Sequence, residues 1–474
     1  MLWMPEFNKF DKTKSMMRYL PPNGTAGFDR DKVRGSRRVP FPPAMTKAIV
    51  ISIDGFAGFY WADPRSRIPT LRRLAERGVV ASRMEAVFPS TTWPTHVSLV
   101  TGVRPERHGV AGNHILNRRT GRVEDLTGDP IHDASALLRV PTICDRAHEA
   151  GLKTAAVDWP ATRNATSLDW NLPFFKDQRV FESQTAPHVW AELGALGFPM
   201  DRQGEWAQLP KRFMKDAMVA DVAMHVLERH GPDLLLVHFL STDSLQHLYG
   251  PRSPEAYWAI EYVDDRIGRL LASRAGALDR DTVVFVVSDH GFLPSTQSIR
   301  PNVRLRQLGL LRLDGHGGIE RAEARVVMNH GAAYLYVRDQ ANAAAMARHL
   351  VPELAPLPGV SQVWTPEAYG ALGLPTPEAN PHAGDLLLEA APGYSFVDDA
   401  DGDELLGPPK YLGTHGQLPT HADNGAFFLA VGAGIRRGSA LAAITSRDVA
   451  PTLAHLLHVP MPDVEGRLLT EALA

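Results

Sequence analysis

Two hydrophobic patterns alternate along this chain. Predominantly apolar runs occur at Ala48–Ile53, Lys153–Val157, Pro232–Leu240, Thr282–Val287 and Phe427–Val431. Runs this short, without polar alternation, are strands buried on both faces, as in a parallel sheet. Between them the apolar residues take helical spacing: Pro69 to Gly78, Ser135 to Ala150, Lys211 to His230, Ser253 to Arg274 and Arg447 to Leu457. Strands alternating with helices predict an α/β fold with a doubly wound, mainly parallel sheet flanked by helices.

Residues 295–410 change character, with strands at 332–337 and 384–389 and a helix at 342–350. We expect a small inserted α+β lobe there, and a core from 45–294 and 411–474. Residues 1–44 lack periodicity and carry Pro21, Pro22, Pro42 and Pro43. They read as a poorly ordered arm or strap, or as an overextended start ahead of Met45.

Three apolar strands each deliver an acid just past their carboxyl end: Asp54, Asp243 and Asp289. That edge is where open α/β sheets bind ligands. Asp243 and His247 stand i,i+4, on one face of a helical turn; His290 adjoins Asp289, and His415 lies in the loop Gly413–Gly416 between glycines. The stretch Phe88 to His96 then reads as a strand exit entering a helix at Pro94, with Gly102 as its stop. A hydroxyl at Thr91 or Thr92 would sit at that helix N-terminus, where free N–H groups and the dipole favour an anion.

Composition narrows the chemistry. The single Cys144, in a helical apolar pattern, excludes a disulfide within the chain and a cysteine-built zinc finger and reads as a buried small residue. With 19 histidines and one cysteine, a metal site must use imidazole and carboxylate, which suits zinc, or manganese as second choice. Two such ions about 4 Å apart would clamp both oxygens of an in-line displacement. The net charge of −3 offers no basic face for a nucleic-acid polymer. There is no apolar run long enough for a membrane span and no secretory h-region, so a cytoplasmic location and a small-molecule partner are expected. Oligomeric state is not legible.

In order, Ile51–Gly55, Phe88–His96, Thr101–Gly109, Asn113, Asp243–His247, Ser288–Gly291 and Gly413–Gly416 resemble the type I phosphodiesterase/nucleotide pyrophosphatase branch of the alkaline phosphatase superfamily. The resemblance runs from about Ala48 to Leu469. It implies an alkaline phosphatase-like core and a hydrolase of phosphodiester or nucleotide pyrophosphate bonds with two metal ions. It implies one metal on Asp243, His247 and His415, and another on Asp54, Asp289, His290 and the nucleophile. It selects Thr92 over Thr91, since the family nucleophile directly precedes an aromatic-Pro pair, and it implies a phospho-threonine intermediate. It makes Asn113 a phosphate-oxygen donor, working with the backbone N–H next to the nucleophile. The chain departs from the pattern at Thr95, Gln246 and Gln417, none of them an implied ligand.

Other readings compete. A sulfatase needs Cys or Ser where Thr92 stands, and Arg where His96 stands. A phosphonate hydrolase of the phosphonoacetate hydrolase type also uses threonine and is the alternative. A binding protein with a degenerate site would lack some of the implied ligands. No arginine follows Thr92 closely, which favours diesters over doubly charged monoesters. Trp159, Phe174 and Phe175, with Trp170, are candidates for stacking on a substrate group. His330 and His421 read as structural or surface residues.

Overall fold

The computed structural model describes residues 46–127, 132–272, 278 and 280–474. The expected arm of residues 1–44 lies outside them. An eight-stranded sheet runs in the order Ser439–Leu441, Gly78–Ala81, Phe428–Gly432, Thr282–Val287, Lys47–Ile53, Leu234–Phe239, Thr154–Val157, Trp170–Leu172. All neighbours are parallel except at Phe428–Gly432, which is antiparallel to both of its own.

The central strand explains the sheet's position. In Lys47–Ile53 the side chains of Ile49, Ile51 and Ile53 enter one core, and those of Ala48 and Val50 enter the other. The first core is covered by helices Arg212–Arg229 and Pro254–Ala272, through Val219, Val222, Ile260 and Ile267. The second is covered by Thr92–Thr101, Ile143–Glu149 and Val449–Leu456. Ile51 is fully buried between the layers, so Ile51→Ala is expected to cost about 2–5 kcal/mol.

Register aligns the chemistry. Ser52 pairs with both His238 and Val287, and Ile53 with Phe239. The three strands therefore end level, and the acids beyond them emerge at one edge.

A second sheet, in the order Ala324–Asn329, Ala332–Val337, Leu386–Ala390, Val360–Trp364, is antiparallel throughout. Helix Ala343–Leu354 covers it over a separate core that includes Leu335, Leu350 and Leu388. The helix expected over 135–150 is instead two, Ala134–Leu137 and Ile143–Glu149. Pro141 lies between them and cannot continue a helix. No helix among the described residues is long and apolar enough to cross a membrane.

Candidate functional site

Asp54 follows the central strand, and Gly55 turns the chain sharply at φ +65°. A Cβ on Gly55 would meet the Phe292 ring at 2.9 Å, so only glycine lets the loops close here. The Gly55 N–H donates to Asp289 Oδ1 at 3.0 Å. Its carbonyl accepts from Gln246 Nε2 at 2.8 Å, and Gln246 Oε1 accepts from the Tyr60 hydroxyl. Gln246, one of the departures from the family pattern, is thus a brace under the Asp54 turn.

Asp243 and His247 share helix Ser241–Tyr249. Buried Asp216 fixes the start of that helix by accepting from the N–H groups of Leu240 and Ser241, each at 2.9 Å. Asp243 Oδ1 lies 3.1 Å from His247 Nε2 and 3.6 Å from His415 Nε2. His290 Nε2 lies 3.4 Å from Asp54 Oδ1 and 3.2 Å from Asp289 Oδ2. The rings of His290 and His415 stack with centroids 3.7 Å apart, joining the two groups.

The histidine tautomers follow from their partners. Nδ1 of His247, His290 and His415 faces the carbonyl of Gly413, Gly291 and Ser90 respectively, each at 3.0 Å. A carbonyl only accepts, so Nδ1 carries the proton and each Nε2 presents a lone pair. Those lone pairs point at carboxylate oxygens, which cannot donate either. Asp54 Oδ1, Asp243 Oδ1, Asp289 Oδ2 and His290 Nε2 are all buried without a hydrogen-bond partner among the described residues. Acceptors facing acceptors in a buried site are what a bound cation satisfies, and Nδ1–H to carbonyl is the usual second bond of a metal-binding imidazole. The residues present therefore fit a metal centre. Candidate ligand atoms group as Asp54, Asp289, His290; as Asp243, His290, His415; and as His247, His330, His415, within 4.8 Å in each.

Electrostatics agree. Burial, then the charges of Asp289 and Asp243, hold the Asp54 carboxyl well above the usual carboxylate range. Burial acts on Asp243 in the same sense, but His247, His415 and His290 outweigh it and hold that carboxyl low. Burial followed by the neighbouring imidazoles pushes His415 and His330 well below ordinary histidine. Neutral imidazoles are what ligation requires.

Thr92 opens helix Thr92–Thr101, and Thr91, the residue before it, makes no side-chain cap. Thr92 lines a cavity of about 250 Å³, together with Asp54, Asn113, Asp243, His247 and His415. His96, one turn on, donates Nδ1–H to the Thr92 carbonyl and accepts from the Ser52 hydroxyl, both at 2.8 Å. Asn113 differs from expectation in one respect. Its Oδ1 accepts the Trp93 N–H at 2.8 Å, so that backbone donor is already used. The same bond leaves the donor half of the amide, Nδ2, for the cavity.

Of the aromatic candidates, only Phe174 lines the cavity. Trp159 and Phe175 are corrections: both are buried in the cores flanking the sheet, Trp159 edge-on to His96. Trp170 is likewise core. Among the wall residues that the sequence did not single out are the basic His238, Arg212, Lys176 and Lys410 and the acids Asp125 and Asp158. His238 Nε2 lies 3.2 Å from Asp54 Oδ2, and Arg212 Nη1 lies 3.8 Å from Asp243 Oδ2. The expectation of no arginine near the nucleophile therefore holds along the sequence but not in space. His330, expected to be structural or surface, stacks on His247 at 4.7 Å and lines the same cavity. It sits at φ +62°, in the two-residue turn before Ala332–Val337. A histidine held in that region is a strained choice, with Gly331 next to it, and such strain clusters at functional sites. His421 instead pairs with Glu389 at 3.2 Å.

This fold belongs to the alkaline phosphatase-like class. The solved murine ectonucleotide pyrophosphatase/phosphodiesterase 5 superposes with a TM-score of 0.67, covering 90% of this chain and 100% of that one at 20% identity. The chain itself belongs to the type I phosphodiesterase / nucleotide pyrophosphatase family, whose model matches residues 48–418. A pyrophosphatase/phosphodiesterase of Schizosaccharomyces pombe, described as uncharacterized, is 28% identical over 258 residues, 53% of this chain and 45% of that protein. Human ectonucleotide pyrophosphatase/phosphodiesterase family member 1 is 27% identical over 244 residues, 51% of this chain and 23% of that protein. The match thus spans less than half the length of these curated relatives.

Proposed function

We propose that this protein hydrolyses phosphodiester or nucleotide pyrophosphate bonds through a phospho-threonine intermediate on Thr92. The observation that carries this reading is the convergence of buried, unpartnered carboxylate and imidazole atoms beside the start of helix Thr92–Thr101. Asp54, Asp289 and His290 with Thr92, and Asp243, His247 and His415, would hold two divalent ions, zinc first and manganese second. Bound there, the ions supply charge that lowers the pKa of a hydroxyl and stabilises the oxygens at phosphorus.

The chain's own residues do the rest. Thr92 Oγ1 gives up its proton and forms the new bond to phosphorus as the ester P–O bond breaks, and the leaving oxygen departs with a proton. Water then displaces Thr92 Oγ and restores the hydroxyl. Asn113 directs Nδ2 to a non-bridging oxygen, because Trp93 N–H holds its Oδ1. His96 fixes the first turn of the helix through the Thr92 carbonyl. The retained substituent lies along Phe174, Pro160 and Leu209, and Arg212 and Lys410 offer charge to an anionic group on the substrate.

The relatives support this reading. Another solved form of the murine relative is an inactive threonine-to-alanine variant in complex with AMP, which points to an essential threonine and a nucleotide-sized ligand. The test is a panel on zinc-loaded protein: an aryl diester, the matching aryl monoester, a nucleotide and phosphonoacetate. The diester or nucleotide should give the highest kcat/KM. A monoester handled equally well removes the diesterase assignment, and exclusive turnover of phosphonoacetate replaces it with phosphonate hydrolysis.

A further inference from the structure

A second concavity, of about 630 Å³, lies away from the nucleophile. It is formed by the hairpin of strands His114–Asn117 and Arg122–Asp125, the strand Ile319–Ala322, and the strands Ala324–Asn329 and Ala332–Val337 of the small lobe. Its lining is dominated by one side chain: Arg118, Arg119, Arg122, Arg321, Arg325 and Arg338. The one acid in the lining, Glu320, is engaged by Arg312 at 2.9 Å.

The arginines fall into two sets. Arg118 is neutralised by Asp385 at 3.0 Å and lies over the Tyr336 ring, and Arg321 pairs with Glu323 at 2.7 Å. Arg119, Arg122, Arg325 and Arg338 have no carboxylate within ion-pair distance among the described residues. Arg325 is half-buried, its Nη1 donates to the Gly121 carbonyl at 3.5 Å, its Nε is shut off from solvent without a hydrogen-bond partner, and burial pulls its pKa down against the opposing charge of Asp398. Cations gathered in a concave wall repel one another, and the guanidinium fork matches phosphate oxygens two at a time. The groove is a concavity within the size range of small-ligand pockets, and it is open to solvent along Arg119, Arg122 and Arg338. It adjoins the main cavity: His114 lines one and Leu116 the other, on the same strand.

The geometry points to a second anion site in this groove, which binds a small ligand carrying several linked phosphates through Arg119, Arg122, Arg325 and Arg338. It stands apart from the reaction proposed for the main cavity.

Calorimetric titration of the metal-loaded Thr92→Ala protein with inorganic tripolyphosphate, and separately with ATP, tests it. Two binding events are expected, one in each cavity, and the two ligands distinguish a bare phosphate chain from a nucleotide. The double variant Arg119→Glu/Arg122→Glu, on exposed side chains, should weaken one event at least tenfold and leave the melting temperature unchanged. Arg338→Glu should weaken the same event, and raised salt should weaken it too. A single equivalent bound, or two events of unaltered affinity in all these variants, overturns the proposal. So does tighter binding of a single-stranded oligonucleotide than of either small ligand, which would make the groove a nucleic-acid surface.

Discussion

Helix Thr92–Thr101 buries histidines near both its ends, and they differ in one respect. At the rear, His108 accepts the Val110 N–H on Nδ1 at 3.2 Å, so its Nε2–H donates to Ser98 Oγ at 3.0 Å. Both nitrogens are served by the chain. At the front, His290, His415 and His247 have Nδ1 served and Nε2 turned toward carboxylates. Burial is complete or nearly so in each case. Burial alone therefore does not mark a site; a buried acceptor left for something outside the chain does.

The contrast is broken most severely at the front. Thr92→Ala should lower turnover by on the order of 10⁴-fold, with an unchanged circular dichroism spectrum and retained metal. Full activity in that variant, measured with an aryl diester, would remove Thr92 from the mechanism. Exhaustive chelation comes next. It should abolish turnover and lower the melting temperature, since Asp54, Asp243 and Asp289 are then left facing one another; zinc should restore both. Metal analysis should find close to two equivalents per chain.

The rear gives a subtler effect through pH. Burial pushes His108 down to about 3, whereas the unfolded chain titrates near 6.5. Between those values the unfolded state binds the extra proton. Stability is thus fully present above pH about 6.5 and is lost as pH falls toward 3, by up to about 5 kcal/mol. His108→Gln keeps a donor and an acceptor and should flatten the acid limb of a plot of melting temperature against pH. A slope equal to the parent's would mean that other groups carry it. Smallest of all, Thr91→Ala should change kcat/KM less than about threefold, because Thr91 makes no side-chain cap bond; a larger loss would put the nucleophile one residue earlier.

How legible the site was depends on where its residues sit. Asp54 and Asp289 follow apolar runs that name their own ends, and helical spacing joins Asp243 to His247. His238 lies inside such a run, between Val237 and Phe239, where it reads as core. Arg212 comes from a helix 120 positions beyond Thr92 and reaches the cavity only because that helix covers the sheet. Trp159 and Phe175 failed in the opposite sense: local composition does not tell an aromatic that packs under a loop from one that faces a ligand. The inner strands of both sheets were legible from their apolar runs, whereas Gly78–Ala81, Trp170–Leu172, Ser439–Leu441, Ala324–Asn329 and Val360–Trp364 were not, and the break at Pro141 was hidden by helical spacing on both sides of it.

Asn329, in the small lobe, accepts on Oδ1 from the backbone N–H groups of Asn113 at 2.7 Å and His114 at 3.0 Å. Its Nδ2 returns to the His114 carbonyl at 2.9 Å. One side chain of the second sheet therefore acts as a rivet through the segment that carries Asn113. Without Asn329 both of those N–H groups would lose their acceptor and Asn113 its anchor.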